Sequence, residues 1–529
     1  MSAVPARRRW RVGLAGLVLA LLVPACSASP PESPSTPAAP VTTPTAVPSG
    51  DQESRPVQPI PDVRPAGYAE PPPGTGLARY QQQQINWQPC VRDLLCASVL
   101  VPLDHAEPDG SAITLALAKR PATAPARLGS LFINPGGPGG SGRGYLGGFD
   151  AEGLERYDVV GWDPRGVGGS TPVRCFGSAD LDRYFSVDVS PDDAEEERAV
   201  LAETLAFGQS CLARSGELLE HISTEETVRD LDLLRGLVGD PQLHYFGASY
   251  GTKIGALYAQ LFPAQVGRLV LDGAVNISGQ EVSQLEGFER ALGNFAAWSA
   301  TQTDAENRLG DSQDEVLQQI RRILDGLDGK PLPAAGGRVV SQQQGVQGVL
   351  DALYNRDNWP ELAQALALAG RGEGRNLLAL ADAGNFRNRD GSYGQITYSF
   401  PAVRCRDSRE TSVVTARRKA QKLVEKAPVL GPLAGPDLVC PLWPVPPAPE
   451  EPKITGAGAA PILVLGTTGD PATPYENAVG MARQLKSGLL VTLEGEGHTA
   501  YGQSDCISGI VRSYLVEGTT PEDGVRCRS

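Results

Sequence analysis

The chain has 529 residues, of which 41% are hydrophobic and 20% charged, and its formal net charge is −14. This composition is typical of a globular protein, and the chain is too long for one simple core. The negative charge argues against a nucleic-acid-binding protein.

The first 25 residues are predicted to be an export signal. Arginines at positions 7, 8, 9 and 11 precede the apolar run "VGLAGLVLALLVPA", which is too short to span a bilayer comfortably. The run ends in "VPAC", which resembles a bacterial lipobox and makes Cys26 the predicted lipidation site. Plain secretion with cleavage nearby is the alternative, because Pro24 is not the commonest residue there. The basic residues leave Sec and twin-arginine export both open.

Residues 26–75 are rich in Pro, Ser, Thr and Ala, and large apolar side chains are few. Such a segment buries too little surface to fold alone, so it is predicted to be a tether. We expect the protein to be exported and held by its lipid on the extracytoplasmic face of the membrane.

The cysteine count agrees with export to an oxidising compartment. Of nine cysteines, Cys26 is set aside for lipidation, which leaves an even number for disulfides. Eight cysteines allow 105 pairings. Sequence proximity suggests the pairs 90–96, 175–211, 405–440 and 506–527. No CxxC pair or His/Cys cluster appears in the sequence, so structural zinc is not expected.

From about residue 97, short apolar runs alternate with stretches of helical periodicity. The runs "ASVLVPLDH" and "AITLALAKR" predict an opening antiparallel hairpin. Further strands are predicted at "GSLFINPGG", "YDVVGWDPRGVGGS", "QLHYFGASYGT", "VGRLVLDGAV", "AAPILVLGTTGD" and "GLLVTLEGEGHTAYG". Buried strands alternating with helices predict a mostly parallel, doubly wound α/β sheet.

Functional groups in such sheets gather at the carboxyl ends of the strands. Those ends carry the segment 134–142, Asp163, Ser249, Asp272, Asp470 and His498. A serine, an acid and a histidine therefore follow one another in the order of an α/β-hydrolase triad. Ser249 also lies in "GASYG", which has the Gly-x-Ser-x-Gly spacing of a nucleophile elbow.

Each triad residue also has a structural interpretation. Ser249 could be a small residue at a crowded turn, and Asp470 a turn former before Pro471. Asp272 is the rival acid, but the strand that carries Asp470 directly precedes the strand that carries His498. The other histidines are expected outside the site: His105 and His221 on the surface, and His244 at the far end of its strand.

A triad needs all three residue types, because a serine hydroxyl is a weak nucleophile without an adjacent base. His498 would take the proton from Ser249, and Asp470 would hold the imidazole in the required tautomer. The oxyanion would need backbone donors. Tyr250 N–H follows the nucleophile, and the glycine-rich "NPGGPGGSG" loop can supply a second donor or merely allow a tight bend.

The segments "NPGGPGGSG", "GWDPRGVGGS", "HYFGASYGT", "GDPATP" and "GEGH" together resemble α/β-hydrolase serine aminopeptidases related to prolyl iminopeptidase. More closely, they resemble the exported tripeptidyl aminopeptidases of actinobacteria and their mycobacterial lipoprotein relatives. The segments "AVRCRD" and "CPLWPV" resemble the end of the cap domain in that branch.

The resemblance implies that Ser249 is the nucleophile, Asp470 the acid and His498 the base, and that Gly137 and Tyr250 form the oxyanion hole. Prolyl iminopeptidases usually have histidine where this chain has Pro135, so the resemblance favours the tripeptidyl branch. The turn after Asp163 is expected to shape the loop beneath the site, with Arg165 in structural hydrogen bonds.

In this fold a helical cap is inserted after the strand that ends near Asp272. The expected domains are therefore 76–276 (hydrolase core), 277–455 (helical cap) and 456–529 (core with acid and histidine). An aminopeptidase needs an anionic group for the substrate's ammonium. Four candidates are present, and the sequence selects none of them: Asp351, Glu361, Glu373 and Asp407.

The leading functional hypothesis is a serine peptidase of the cell envelope that cleaves short peptides, such as tripeptides, from free N-termini. A carboxylesterase or lipase with the same triad is the alternative, since the triad does not distinguish amides from esters. A non-catalytic surface-binding lipoprotein is a third possibility, which the complete triad disfavours. No cofactor or metal is expected, because the chain carries no nucleotide-binding motif and the mechanism requires none.

Overall fold

The computed structural model describes residues 59–278, 282–304 and 307–528. The predicted signal peptide, Cys26 and most of the predicted tether lie outside the described residues. The strands, in chain order, are β1 (Tyr68–Ala69), β2 (Gln88–Pro89), β3 (Leu95–Pro102), β4 (Ala112–Arg120), β5 (Gly129–Asn134), β6 (Tyr157–Asp163), β7 (Leu243–Ala248), β8 (Val266–Asp272), β9 (Leu332–Pro333), β10 (Val339–Val340), β11 (Ile462–Gly469), β12 (Gly488–Glu496) and β13 (Val525–Arg528).

The α-helices, in chain order, are α1 (Ala78–Gln81), α2 (Gly142–Leu146), α3 (Ser178–Tyr184), α4 (Ala194–Ser215), α5 (Thr224–Leu237), α6 (Gly251–Leu261), α7 (Gln284–Ala300), α8 (Gln313–Gly329), α9 (Gln342–Leu353), α10 (Trp359–Gly370), α11 (Arg375–Gly384), α12 (Ile396–Asp407), α13 (Val413–Lys426), α14 (Gly431–Ala434), α15 (Tyr475–Gln484) and α16 (Asp505–Glu517). Among the described residues, none of these helices is both long enough and apolar enough to cross a bilayer.

One large sheet organises the described chain, with the strand order β13-β12-β11-β8-β7-β5-β6-β4-β3-β2 and β1 paired with β4. The seven strands from β13 to β6 run parallel to one another. The predicted opening hairpin is confirmed, because β3 and β4 pair antiparallel and β4 continues antiparallel onto β6. The strands β5, β6 and β7 are buried along nearly their whole length, as their continuous apolar runs predict.

Helices cover both faces of the sheet. On one face, apolar side chains of α5, α6 and α15 pack on the strands, and on the other face those of α2 and α16 do so. The carboxyl ends of the parallel strands therefore meet along one edge, where polar side chains can converge between the two helical layers. This is the mostly parallel, doubly wound α/β arrangement that the sequence predicts.

The helices between β8 and β11 form an insertion, by which we mean residues 273–461. Helices α7 to α11 surround an apolar cluster of their own, which includes Leu292, Leu324 and Trp359. Helix α12 instead contributes Ala402 and Val403 to the main core. One part of the insertion thus has a separate core, and α12 is anchored to the sheet domain.

Four disulfides join the eight cysteines of the described chain in the pairs that sequence proximity suggests: Cys90–Cys96, Cys175–Cys211, Cys405–Cys440 and Cys506–Cys527. The third ties α12 to the segment that returns to the core, and the fourth ties α16 to the edge strand β13. The prediction of disulfides is confirmed.

Candidate active site

Ser249 stands at a sharp turn between β7 and α6. Its φ is +54°, in the left-handed region that few residues other than glycine adopt, and such a conformation costs about 1–3 kcal/mol. A Cβ on Gly247 would collide with the carbonyl oxygen of Gly251, so the chain can close this tightly only with glycine there. The strained turn lifts Ser249 clear of the strand, which is the geometry of a nucleophile elbow.

His498 lies in the loop after β12, and its Nδ1 hydrogen bonds the Asp470 carboxylate at 2.9 Å to Oδ1 and 3.0 Å to Oδ2. Asp470 also accepts hydrogen bonds from Ala472 N, Thr473 N and Thr473 Oγ1. These donors fix the carboxylate, which is 4% exposed, so that it faces the imidazole. The arrangement holds the His498 proton on Nδ1 and leaves Nε2 free to accept another.

The electrostatic environment makes His498 a stronger base. Burial on its own would lower the pKa of the imidazole, but the charge and hydrogen bond of Asp470, with the charge of Asp272, raise that pKa above its ordinary value. A base with a raised pKa binds the serine proton more readily when the nucleophile attacks.

Asp272, the rival acid, has a different set of partners. Its two carboxylate oxygens accept the backbone N–H groups of Ala500 and Tyr501 at 2.8 and 2.9 Å. Burial raises the pKa of Asp272 to about 6, although these two donors act in the opposite direction. The carboxylate therefore holds the loop that carries His498, and the imidazole nitrogen itself is bonded to Asp470.

Ser249 and His498 are brought to the same end of β8. The backbone N–H of Ser249 donates to Asp272 O at 2.7 Å, and a Cβ on the next residue, Gly273, would lie 3.2 Å from His498 Cε1. Within the described residues no hydrogen bond joins Ser249 Oγ to His498. Such bonds are often long in enzymes without substrate and form in the Michaelis complex.

The glycine-rich loop after β5 lies directly against the elbow. A Cβ on Gly136 would be 2.8 Å from Tyr250 N and 2.9 Å from Ser249 Cβ, so only glycine allows this approach. The loop is fixed by Asn134 Oδ1, which accepts Gly136 N–H at 2.8 Å. Gly136, the residue directly before Gly137, therefore lies beside both Ser249 and Tyr250.

The insertion forms a roof over these groups. The backbone N–H of His498 donates to Tyr354 O at 2.8 Å, and the rings of the two residues meet edge to face with their centroids 5.5 Å apart. On the opposite side, Ile396 Cδ1 would be 3.3 Å from a Cβ on Gly137, and Ser399 Oγ donates to Gly139 O. The insertion therefore touches both the predicted base and the predicted oxyanion loop.

Other residues singled out from the sequence lie outside this site. Arg165 is fully buried and donates to Asp230 and Glu226, and Asp163 accepts hydrogen bonds from Ser141, Arg143 and Gly169, so both are structural as predicted.

The interpretation of His105 as a surface residue is wrong. Its side chain is 5% exposed, and Nε2 hydrogen bonds Asp230 at 2.8 Å, where it neighbours Arg165. His221 is half-buried, and burial lowers its pKa to about 4. His244 accepts Arg268 N–H at the amino end of β7, away from Ser249, as predicted.

Sequence reasoning missed Thr473 and Tyr354. Thr473 lies three residues after Asp470 in a turn. A hydroxyl residue at this spacing from an aspartate could have been recognised as a donor to its carboxylate. Tyr354 contacts His498 through its backbone carbonyl and its ring. The helical pattern of the sequence around Tyr354 does not distinguish it from its neighbours.

The chain is similar in sequence to several known hydrolases. A family model described as TAP-like protein matches residues 427–527. Serine protease Hip1 of Mycobacterium tuberculosis is 35% identical over 480 residues, which cover 84% of this chain and 91% of that protein. Carboxylesterase B of the same organism is 35% identical over 497 residues, covering 87% and 94%. The tripeptidyl aminopeptidase of Streptomyces lividans is 32% identical over 477 residues, covering 85% and 88%.

Proposed function

Because the chain belongs to the α/β-hydrolase serine peptidase family that includes the tripeptidyl aminopeptidases, we propose that it releases short peptides, preferably tripeptides, from free N-termini. The observation that carries this proposal is the roof. Tyr354 packs on the predicted base and Ile396 lies against the predicted oxyanion loop, so the insertion borders the predicted site on two sides. Such a border would restrict access to the nucleophile. Restricted access favours chain ends over the interior of a folded protein.

In the proposed reaction, Ser249 Oγ attacks the carbonyl carbon of the scissile peptide bond while His498 Nε2 accepts the hydroxyl proton. The negative charge that forms on the carbonyl oxygen is stabilised by the N–H groups of Gly137 and Tyr250. The imidazolium, stabilised by Asp470, gives its proton to the leaving amine, and the peptide bond breaks. His498 then deprotonates a water molecule that attacks the acyl-enzyme, the bond between Ser249 Oγ and the acyl carbon breaks, and the imidazolium returns its proton to Ser249 Oγ as the short peptide leaves.

We further propose that the protein acts outside the cytoplasm, attached to the membrane by a lipid on Cys26. The basic and apolar start of the chain and the sequence "VPAC" support this location. The four disulfides support it independently, since such bonds persist in oxidising compartments.

An ester-cleaving enzyme is the second candidate. It is favoured by one finding, the similarity to a carboxylesterase at the same identity as to the serine protease. The proposed triad and oxyanion hole serve either chemistry, so the distinction depends on substrate binding rather than on the reacting groups.

A reporter panel tests the peptidase proposal. A tripeptidyl reporter with a free amine should be cleaved about 100-fold or more faster than its N-acetyl form, because acetylation removes a charge-assisted contact. Single-residue reporters should be poor substrates. Ser249→Ala should abolish all turnover and labelling by a fluorophosphonate, with the melting temperature retained. Equal rates on free and acetylated peptides would contradict aminopeptidase action, and turnover of butyryl esters alone would establish the esterase.

A further inference from the structure

Three apolar side chains of the insertion lie beside the predicted oxyanion loop and remain partly exposed: Phe386, Ile396 and Phe400. We propose that these three residues, which we call the apolar wall, bind the side chain of the substrate residue that supplies the scissile carbonyl. In a released tripeptide this is the third residue, and the wall would favour an apolar side chain there. The inference rests on the proposed peptidase function and names a substrate preference within it.

Ile396, the first residue of α12, brings the wall to the loop that touches the predicted nucleophile. Its Cδ1 would lie 3.3 Å from a Cβ on Gly137. A Cβ on the preceding residue, Gly136, would lie 2.9 Å from Ser249 Cβ. Since neighbouring residues place their Cβ atoms at most about 7 Å apart, Ile396 Cδ1 lies within about 13 Å of Ser249 Cβ. The wall is therefore within reach of the substrate residues that adjoin the scissile carbonyl.

The first turns of α12 present one face to the same loop. A Cβ on Gly139 would lie 2.9 Å from Ser399 Cβ and 3.0 Å from Phe400 N, so the helix and the loop are in direct contact. Residues three and four positions apart share a helix face, which places Ile396, Ser399 and Phe400 on one side of α12. Ser399 is buried, whereas Phe400 is 38% exposed. The apolar face of the helix thus continues from the loop to the surface.

Phe386 adds a second aromatic ring, and its backbone is strained. Its φ is +56°, in the left-handed region where a bulky residue is an outlier. The conformation is held because Phe386 O accepts Gly394 N–H at 2.8 Å. A Cβ on Gly394 would lie 3.2 Å from Phe386 Cβ and 3.8 Å from Ile396 Cγ2, so the two side chains are neighbours. Backbone strain of this kind concentrates at binding and active sites.

Exposed aromatic side chains are confined to this region. Among the residues that the structure describes, three aromatic side chains are prominently exposed, and all three belong to the insertion: Tyr354, Phe386 and Phe400. Tyr354 lies against the predicted base, and the other two border the predicted oxyanion loop. Grouped apolar side chains that remain in contact with water are typical of a binding surface. Their position at the predicted site indicates that the substrate covers them.

The position of the wall identifies the part of the substrate that it binds. The predicted donor Gly137 would hold the carbonyl oxygen of the residue before the scissile bond, and Ile396 packs on that same glycine. An apolar side chain on this residue would gain by leaving water at the wall. A charged side chain would lose hydration there, and the arginine beside Phe400, Arg404, is already paired with Asp437.

The test uses free-amine tripeptidyl coumarin reporters that differ only in the third residue, leucine or serine. The wild type should cleave the leucine reporter with a kcat/KM about 10-fold or more higher, because the leucine side chain is buried on the wall. The double variant Phe386→Asn, Phe400→Gln should lower this ratio about 5-fold, since asparagine tolerates a positive φ and glutamine suits a helix. Val339→Thr, which replaces an exposed apolar side chain of the same insertion outside the wall, is the matched control and should keep the wild-type ratio.

Fluorophosphonate labelling of Ser249 shows whether each variant is folded and competent, and a general loss of activity cancels from the ratio. A labelled double variant with the wild-type ratio, or a wild type that does not distinguish leucine from serine, would overturn the inference and leave the proposed function intact. A wild type that cleaves neither peptide would instead overturn the proposed function. If the double variant does not label, Ile396→Thr decides, since it keeps a branched side chain and makes the wall more polar. A lowered ratio then supports the wall, and an unchanged ratio contradicts it.

Discussion

At the scale of single residues, two buried carboxylates surround the His498 loop and are distinguished by what they bind. Asp470 accepts the imidazole N–H, whereas Asp272 accepts two backbone N–H groups of the same loop. The charge of one therefore acts on the reacting ring, and the charge of the other holds the backbone that carries the ring. Substitutions at Asp470 and Asp272 should therefore have different effects on catalysis and on stability.

We expect Asp470→Asn to lower kcat by about 10³- to 10⁴-fold, because an amide favours the wrong imidazole tautomer. Asp272→Asn should mainly lower the free energy of unfolding, by about 1–3 kcal/mol, because an amide oxygen replaces only one of the two acceptor atoms. Steady-state kinetics and thermal melts of both variants make the comparison. The reverse pattern would assign the acid to Asp272.

The stability deficit of Asp272→Asn should also depend on pH. The folded-state pKa of Asp272 is raised to about 6, so the folded protein binds the proton more tightly than the unfolded chain does. The contribution of Asp272 to stability therefore falls as the pH rises towards 6, and the deficit of the neutral variant should be smaller at pH 7 than at pH 4.

The placement of Ser249, Asp470 and His498 could be predicted from the sequence, because each of them follows an apolar strand. The carboxyl ends of parallel strands lie at the same edge of the sheet. The contact between Tyr354 O and His498 N could not, since every residue has a carbonyl group. The burial of His105 was missed for a related reason. Its partner Asp230 is distant in the chain. Asp230 lies on α5, where the sequence pattern identifies the apolar residues that face the core and gives no sign of the partner of a polar residue.

At the scale of elements, α12 contacts one half of the predicted oxyanion hole and is linked to the other half through Thr224. Its first residue packs on Gly137, and Asp407 at its end accepts a hydrogen bond from the Thr224 hydroxyl, which also bonds the buried Tyr250 phenol. Lys253 completes the group by donating to Asp407. The helix therefore braces the backbone that presents the two donors.

Asp407→Asn should lower kcat about 10-fold for peptide and ester reporters alike, with KM little changed, because a displaced donor weakens the transition state more than the bound substrate. Lys253 keeps Glu451 as a partner, which favours folding of the variant. Asp437→Asn, which removes a more exposed acid paired with Arg404 on the same helix, is the control. A rise in KM for peptides alone would indicate that Asp407 contacts substrate.

Strand prediction succeeded for the long apolar strands and failed for the short ones. The apolar runs of β5, β7 and β11 identify them, whereas β13 reads "VRCR" and pairs with β12 through its backbone at the edge of the sheet. The sequence likewise gives no signal for the short hairpin of β9 and β10, which has two residues in each strand. Although Cys527 of β13 is buried, strands of two to four residues are too short for a periodic pattern to be detected.

At the scale of the whole molecule, the proposed location depends on the start of the chain. We expect Cys26→Ala to move the protein from the detergent phase to the aqueous phase in a Triton X-114 partition, since the variant lacks the lipid acceptor. Mass analysis of the N-terminus of each form should show whether the signal is removed. Retention of a processed variant in the membrane would assign the attachment to another part of the molecule.

The bond between His498 N–H and Tyr354 O means that the histidine loop is held by a segment more than a hundred positions earlier in the chain. Asp470 and His498 also come after the whole insertion. A partly synthesised chain, or one whose roof has not docked, would thus carry Ser249 without its positioned base. We expect hydrolytic activity to appear only after the insertion and the C-terminal part of the chain have folded. Neighbouring polypeptides would then not be cleaved by a partly folded enzyme.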